Sequence, residues 1–212
     1  ESFETSPYGG VGVSGTQSQA GQGWGVGPVS GAFHGANVAA IGWGATGYPA
    51  DANDALVLPA VSLASATSPV LTFHQAYAIE DGYDGAKVIV WDGAQWTFPD
   101  PVGGYPVAQL QYQTPADGWY TGTHSSWQAQ QFDLSAYKGL SQVVVAFWFV
   151  SDTDNTAMAA GWAGFWAVDQ VSIAEGGAST GSTGSTGTGS TGGSTGNTGS
   201  ASVVFAESFE GT

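Results

Sequence analysis

The sequence predicts an all-β fold, an antiparallel jelly-roll β-sandwich. Glycine accounts for 34 of the 212 residues, and long helices are disfavoured because each glycine in a helix interior costs about 1 kcal/mol. The apolar residues fall in short segments that are rich in β-branched and aromatic side chains and are separated by turn residues, as in sandwich folds. Hydrophobic residues make up 42% of the chain and aromatic residues 13%, enough for a core between two sheets.

The predicted strands follow one another from the first third of the chain onward. They cover residues 56–58, 70–77, 87–91, 95–98, 127–134, 142–150 and 165–173. Asp92-Gly93 predicts a tight hairpin between the third and fourth of these strands. The segment QVVVAFWFV at 142–150 is the most apolar and predicts a buried central strand. The glycine-rich region before residue 56 is expected to contain short strands and turns.

Composition divides the chain into three parts. Residues 1–175 form the predicted sandwich. Residues 176–200 consist of Gly, Ser and Thr with one Ala and one Asn, a composition typical of flexible linkers. Residues 201–212 contain a strand-like segment, 203–209, that lacks an obvious partner in the remaining sequence.

The terminal segment repeats the beginning of the chain. Glu207-Ser208-Phe209-Glu210 has the same sequence as Glu1-Ser2-Phe3-Glu4, and such a repeat is typical of modular arrays. We therefore expect a repeat unit whose C-terminal strand joins the sheet of a neighbouring copy, head to tail, to build a surface fibre or filament. The alternative is covalent, with tandem modules in one long chain. The residues predicted to form the assembly strand are Val203, Val204, Phe205 and Phe209.

The charge balance excludes several classes of partner. Lys87 and Lys138 are the only cationic side chains apart from histidine, and the net charge is −15. Nucleic acid is a poor partner because two lysines cannot form a basic surface. The chain has no apolar run of the ~20 residues that a membrane helix requires, and it has no cysteine for disulfides or thiol chemistry.

Catalytic motifs are absent from the sequence. His34, His74 and His124 are far apart and form no HExxH pair, and neither a GxSxG motif nor a cysteine nucleophile is present. We therefore expect a protein that is not an enzyme.

Three segments carry a resemblance to a known family. They are EDGYDG at 80–85, FDLSAYKG at 132–139 and DQVSI at 169–173. In this order they resemble bacterial MAM-like jelly-roll modules of the choice-of-anchor J and cleaved-adhesin types, which occur beside immune-inhibitor-type secreted proteases. The resemblance covers about residues 1–175. It implies a non-enzymatic module that is extracellular or on the cell surface, often with a structural calcium ion near the chain ends.

The resemblance also implies a set of calcium ligands. The family's first acid corresponds to Glu4 and its closing acid to Asp169, and Asn53 or Asp54 would supply a loop ligand. Calcium takes six to eight oxygen ligands, so backbone carbonyls and water would complete the site. Unlike the family, which closes with two adjacent acids, this chain has Gln170 after Asp169.

A second acidic group is predicted where two loops follow strands. It contains Glu80, Asp81 and Asp84 in one turn and Asp152, Asp154 and Asn155 in another. These residues could bind a second cation, but Asp and Asn also favour turns intrinsically, and the residues alone leave both interpretations open.

The nine tryptophans suggest an alternative function, an adhesin or carbohydrate-binding module of a secreted multidomain protein. Exposed aromatic rings stack on apolar sugar faces, and the candidate residues are Trp119, Tyr120 and Trp162. Trp91, Trp96 and Trp148 are instead assigned to packing, because they lie in or beside predicted strands.

Overall fold

The computed structural model describes residues 12–15, 23–29, 31–42, 47–112, 117–153, 164–176 and 203–206. Nearly all of the regular structure is β. The strands are β1 (Gly12–Gly15), β2 (Gly25–Pro28), β3 (Asn37–Ile41), β4 (Asn53–Val57), β5 (Pro69–Ile79), β6 (Gly85–Trp91), β7 (Trp96–Thr97), β8 (Gly122–Asp133), β9 (Val144–Val150), β10 (Phe165–Glu175) and β11 (Val203–Ala206). One 3-10 turn, Ser135–Tyr137, follows β8.

The strands form two sheets. Sheet A has the order β1-β4-β9-β6-β7, and sheet B has the order β2-β3-β10-β5-β8, with β11 beside β10. All of the strand pairs are antiparallel. Phe147 of sheet A packs against Phe73 and Trp166 of sheet B, with ring centroids 4.9 and 5.7 Å apart. The apolar inner faces of the two sheets thus form one core, and the predicted antiparallel sandwich is confirmed.

The best-predicted elements are those with the strongest apolar signal. β9 lies at the centre of sheet A, as the run of β-branched and aromatic residues predicted. β6 pairs with β7 across the Asp92-Gly93 turn, with Trp91 opposite Trp96, so the predicted hairpin is also confirmed.

The predicted strand boundaries were less accurate. The strand predicted at 56–58 is observed at Asn53–Val57. It begins earlier because Asp54, a polar residue, alternates inward with Leu56, and both side chains are buried. β5 and β8 are longer than predicted, because backbone pairing between them continues through His74, Gln75, Gln128 and other polar positions.

β10 contains an irregularity that changes which side chains face the core. Gln170 has a φ of 52°, and the pairing of β10 with β5 shifts between Asp169 and Ser172. Trp166 and Val168 face the core before this bulge, and Val171 and Ile173 face it afterwards. Asp169 therefore points to the outer face of sheet B.

β11 pairs with β10 of its own chain. Ser172 lies opposite Ala206, and Ile173 lies opposite Phe205. The prediction that the terminal strand lacks a partner in the chain is therefore wrong for Val203–Ala206. Phe209 and both ESFE segments lie outside the described residues. In the described part of the chain, no helix is long and apolar enough to cross a membrane.

Candidate functional site

Three carboxylates converge at one end of the sandwich. The turn after β5 crosses from sheet B to sheet A and carries Glu80 and Asp84, while Asp152 follows β9, the neighbour of β6 in sheet A. One carboxylate oxygen from each residue lies within 4.8 Å of the other two. Glu80 and Asp84 are buried, with 7% and 0% of their surface exposed. We call these three residues the carboxylate cluster.

Backbone and hydroxyl hydrogen bonds fix the turn that carries the cluster. Thr121 Oγ1 donates to the carbonyl oxygen of Glu80 at 2.9 Å and accepts from Gly82 N at 2.9 Å. Asp84 N also donates to the carbonyl oxygen of Glu80, at 3.2 Å. The turn is therefore closed on itself and attached to the segment before β8, which limits the positions that its carboxylates can take.

Tyr48 connects the two acids of the turn. Its hydroxyl donates to Asp84 Oδ2 at 2.8 Å and accepts from Glu80 N at 2.9 Å. The other oxygen of Asp84, Oδ1, accepts from Asp152 N at 2.8 Å. Burial raises the pKa of Asp84 to about 6, although these two hydrogen bonds to Asp84 oppose the shift. Burial likewise raises the pKa of Tyr48, and the nearby charge of Asp84 raises it further.

This arrangement can bind a divalent cation. Carboxylate oxygens are the ligands that calcium prefers, and one oxygen from each of the three acids lies within 4.8 Å of the other two. Because calcium takes six to eight oxygen ligands, backbone carbonyls and water would have to complete the coordination. Without a cation, like charges held together away from water repel each other and lose solvation. A bound divalent ion would remove both costs.

The carboxylate cluster consists of three residues of the second acidic group that the sequence predicted. Asp81 is exposed and is not one of the converging acids. Asp154 and Asn155 lie outside the described residues.

The described members of the first predicted metal set, Asn53, Asp54 and Asp169, do not lie together in the structure. Asn53 and Asp54 are adjacent in β4 and therefore point to opposite faces of sheet A. Asn53 Oδ1 accepts from Trp148 Nε1 at 2.8 Å on the outer face, while Asp54 is buried on the inner face. Asp169 points to the outer face of sheet B. Glu4, the fourth member, lies outside the described residues.

Asp169 has protein partners of its own. Its Oδ2 accepts from His34 N at 2.9 Å, and its Oδ1 accepts from Gln170 N at 2.7 Å. It lies opposite His74 of β5, whose ring stacks on Phe33 with centroids 3.5 Å apart. Burial raises the pKa of Asp169 to about 6 and lowers the pKa of His74. These contacts attach the segment before β3 to the outer face of sheet B.

The predicted sugar-binding residues are not available for stacking. Trp119 and Tyr120 are only 2% and 3% exposed, so the prediction that these two rings are exposed for stacking on sugars is wrong. Trp119 packs against Trp148 with centroids 5.3 Å apart, and Tyr120 packs against Tyr105 at 4.8 Å. The long segment after β7 folds over them, which the sequence did not reveal. Trp162 lies outside the described residues.

The sequence interpretation also missed Tyr48 and the outer face of sheet A. Nothing near Tyr48 in the sequence indicates that its hydroxyl contacts Asp84 and the backbone of Glu80. These contacts depend on tertiary structure. The sequence does contain a pattern that predicts the outer face of sheet A, however. In β6, Lys87, Ile89 and Trp91 alternate with the core residues Val88 and Val90, and this alternation places Trp91 away from the core.

Comparison with known proteins gives one relative by sequence and several similar structures. No protein-family model matches the chain. Bacillopeptidase F of Bacillus subtilis (strain 168) is 31% identical over 164 residues, which are 76% of this chain and 10% of that protein. The chain thus spans about a tenth of the length of this curated relative.

Two of the similar structures are adhesin domains. The K2 cleaved adhesin domain of Lys-gingipain is 20% identical, with a TM-score of 0.48, over 83% of this chain and 97% of that domain. The K1 cleaved adhesin domain of Lys-gingipain from Porphyromonas gingivalis W83 is 18% identical, also with a TM-score of 0.48, over 84% of this chain and 97% of that domain.

Proposed function

We propose that the chain is a non-enzymatic, extracellular structural module of a larger secreted protein, and that copies join head to tail through the C-terminal strand. The observation that carries the assembly is the pairing of β11 with β10. The module assignment is supported by the match to about a tenth of Bacillopeptidase F and by the resemblance to modules that accompany secreted proteases.

The edge of β10 explains why this strand is suited to assembly. β3 pairs with β10 only from Trp166 to Val168. Beyond the bulge, the same edge of β10 is covered by β11 from Ser172 to Ala174. Without β11, these backbone groups form an open edge that can accept any compatible strand.

The donor of this strand can be the same chain or a neighbour. Residues 176–202 separate β10 from β11 and are nearly all Gly, Ser and Thr. An extended chain spans roughly 3.3–3.6 Å per residue. This segment is therefore long enough for β11 to reach the edge of β10 in its own chain or in a neighbouring copy. Because β11 of a neighbouring copy has the same sequence and can make the same main-chain hydrogen bonds, exchange would link copies into a filament.

Deletion of residues 201–212 tests the assembly. We expect the shortened chain to remain monomeric at concentrations at which the full chain forms larger species, measured by light scattering and electron microscopy. The matched control replaces residues 201–212 with Gly and Ser, which keeps the length but removes the strand sequence. Assemblies that persist unchanged in both variants would rule out strand exchange.

We further propose that calcium binds the carboxylate cluster and stabilises the sandwich. The proposal is supported by the convergence of Glu80, Asp84 and Asp152 and by the burial of two of them. The ion would connect the β5–β6 turn, which joins the two sheets, to the end of β9. It would therefore act on stability and would have no catalytic role.

Calorimetric titration of chelator-treated protein with calcium tests this site. We expect binding with an increase in melting temperature, and at least about tenfold weaker binding in Asp84→Asn, which removes a charged ligand. Asp81→Asn is the matched control, because Asp81 is exposed in the same turn. If Asp169→Asn abolishes binding and Asp84→Asn does not, the ion belongs to the set that the family resemblance implied.

The alternative function, an adhesin or carbohydrate-binding module, is favoured by a different observation. The outer face of sheet A carries exposed aromatic rings beside a cleft, and no described strand covers these rings.

A further inference from the structure

The outer face of sheet A has a row of aromatic side chains. Trp91 lies opposite Trp96 across the β6–β7 pair, and their ring centroids are 5.7 Å apart. Phe98 comes directly after β7. The ring of Phe98 lies 6.3 Å from that of Trp148 on β9. We call Trp91, Trp96, Phe98 and Trp148 the aromatic row.

The row is accessible at its centre. Trp96 is 40% exposed and Phe98 is 45% exposed, although large hydrophobic side chains are usually covered. Trp91 and Trp148 are half-buried. Each exposed ring packs against a half-buried ring of the sheet, Trp96 against Trp91 and Phe98 against Trp148, and this packing limits the positions that the exposed rings can take. Rigid, exposed aromatic rings provide contact area with little loss of conformational entropy on binding.

A cleft of about 360 Å³ adjoins the row at Phe98. This volume lies within the range of small-molecule and ligand sites. The cleft is lined by Phe98, Asp100, Gly104, Tyr105, Val107, Ala108, Asp117 and Gly118. It therefore combines apolar and aromatic walls with two carboxylates that can accept hydrogen bonds.

Lys87 lies beneath the cleft and reduces its negative charge. Its Nζ donates to the carbonyl oxygen of Asp117 at 2.8 Å and lies 3.9 Å from Asp117 Oδ2. It also lies 4.9 Å from the Phe98 ring centroid and 4.3 Å from that of Trp119. A cationic ligand would have to compete with this built-in ammonium group. Two carboxylates and one ammonium group leave the cleft with one net negative charge, which disfavours an anionic ligand and favours a ligand whose hydroxyl groups donate hydrogen bonds to the carboxylates.

We propose that the aromatic row and its adjoining cleft bind a neutral saccharide chain. A pyranose ring has an apolar face of C–H groups that stacks on an aromatic ring, and its hydroxyl groups donate to carboxylates. Trp96 and Phe98 provide the stacking surface, and Asp100 and Asp117 accept from hydroxyls of a sugar unit in the cleft. This inference rests on the proposed role as a non-enzymatic module and specifies the ligand class of its binding alternative.

Affinity electrophoresis of the full chain in gels containing neutral polysaccharides tests the inference. The probes are hydroxyethylcellulose, xylan, mannan and glycol chitin, and the affinity for a retarding polysaccharide is then measured by titration. We expect Trp96→Ala and Phe98→Ala each to weaken binding at least tenfold. Asp100→Asn should weaken it less, because an amide oxygen still accepts a hydrogen bond.

Tyr112→Ala is the matched control, since Tyr112 is a 67% exposed aromatic residue outside the cleft and the row. Its affinity should equal that of the unmodified chain. The inference is overturned if no probe is retarded, if Tyr112→Ala weakens binding as much as Trp96→Ala, or if a lysine-rich peptide binds the face while all four polysaccharides fail. Binding by a chain that does not assemble would leave this inference intact and remove only the strand-exchange proposal.

Discussion

Lys87 is one of two lysines in a chain that has no arginine, and its side chain is fully buried on the outer face of sheet A. Burying an ammonium group is costly unless its charge and hydrogen bonds are compensated. Here the carbonyl oxygen of Asp117 and the faces of Trp119 and Phe98 provide that compensation. Lys87 thereby attaches the segment after β7 to the sheet, which also explains why Trp119 is hidden.

We predict that the pKa of Lys87 is far below that of an ordinary lysine. Burial lowers its pKa from 10.5 to about 8, although Asp117 and Asp100 oppose the shift. The charged form is penalised in the folded state only, so the free energy of unfolding should rise as the pH increases from about 8 towards 10.5. NMR of the Nζ nitrogen should give a midpoint near pH 8. Lys87→Met should remove both that signal and the rise in stability, and an ordinary midpoint would contradict the prediction.

The carboxylate cluster shows at the same scale what the sequence could predict. Glu80 and Asp84 share a short turn, so their proximity follows from the sequence. Asp152 is far away in the chain, and its approach depends on the pairing of β6 with β9, which places Gly85 opposite Val150. The residue types allowed either a cation site or ordinary acidic turns, and the register of two strands determined which acids lie together.

At the scale of elements, β10 connects the parts of sheet B. It pairs with β5 along most of its length, and its other edge is shared by β3 and β11. Its N-terminal end meets the end of β3 at Gly42, which has a φ of 83°. A Cβ atom at this position would meet Gly164 O and would lie 2.9 Å from both Phe165 Cα and Tyr48 N.

Gly42→Ala should therefore destabilise the sandwich by about 2 kcal/mol or more, since it adds a backbone clash to an unfavourable φ. Chemical denaturation measures the change. Gly25→Ala in β2 is the matched control, because nothing lies within 4 Å of its Cβ position, and it should change stability by less than about 0.5 kcal/mol. Equal effects of the two substitutions would show that the junction of β3 and β10 is not tightly packed.

At the scale of the whole molecule, the net charge of −15 opposes compaction through repulsion between acids. Salt screens this repulsion, and the Debye length falls from about 30 Å at 0.01 M to about 8 Å at 0.15 M ionic strength.

We predict that the melting temperature of the chelator-treated protein at pH 7 rises between these two salt concentrations. The rise should disappear near pH 4, close to the sequence pI of about 4.1, because the net charge is then near zero. Differential scanning calorimetry measures both conditions. A melting temperature independent of sodium chloride at pH 7 would show that the folded state is not strained by its charge.

The sequence by itself determined the fold class, the central position of β9 and the β6–β7 hairpin. These features depend on local information, namely β-branched and aromatic runs and the Asp92-Gly93 turn. Only the tertiary structure decided that Trp119 is buried while Trp96 is exposed, and that Asp152 joins Glu80 and Asp84. The physical reason is that burial and convergence depend on which strands pair and which loops cover them, and period-2 alternation does not reveal which face a loop covers.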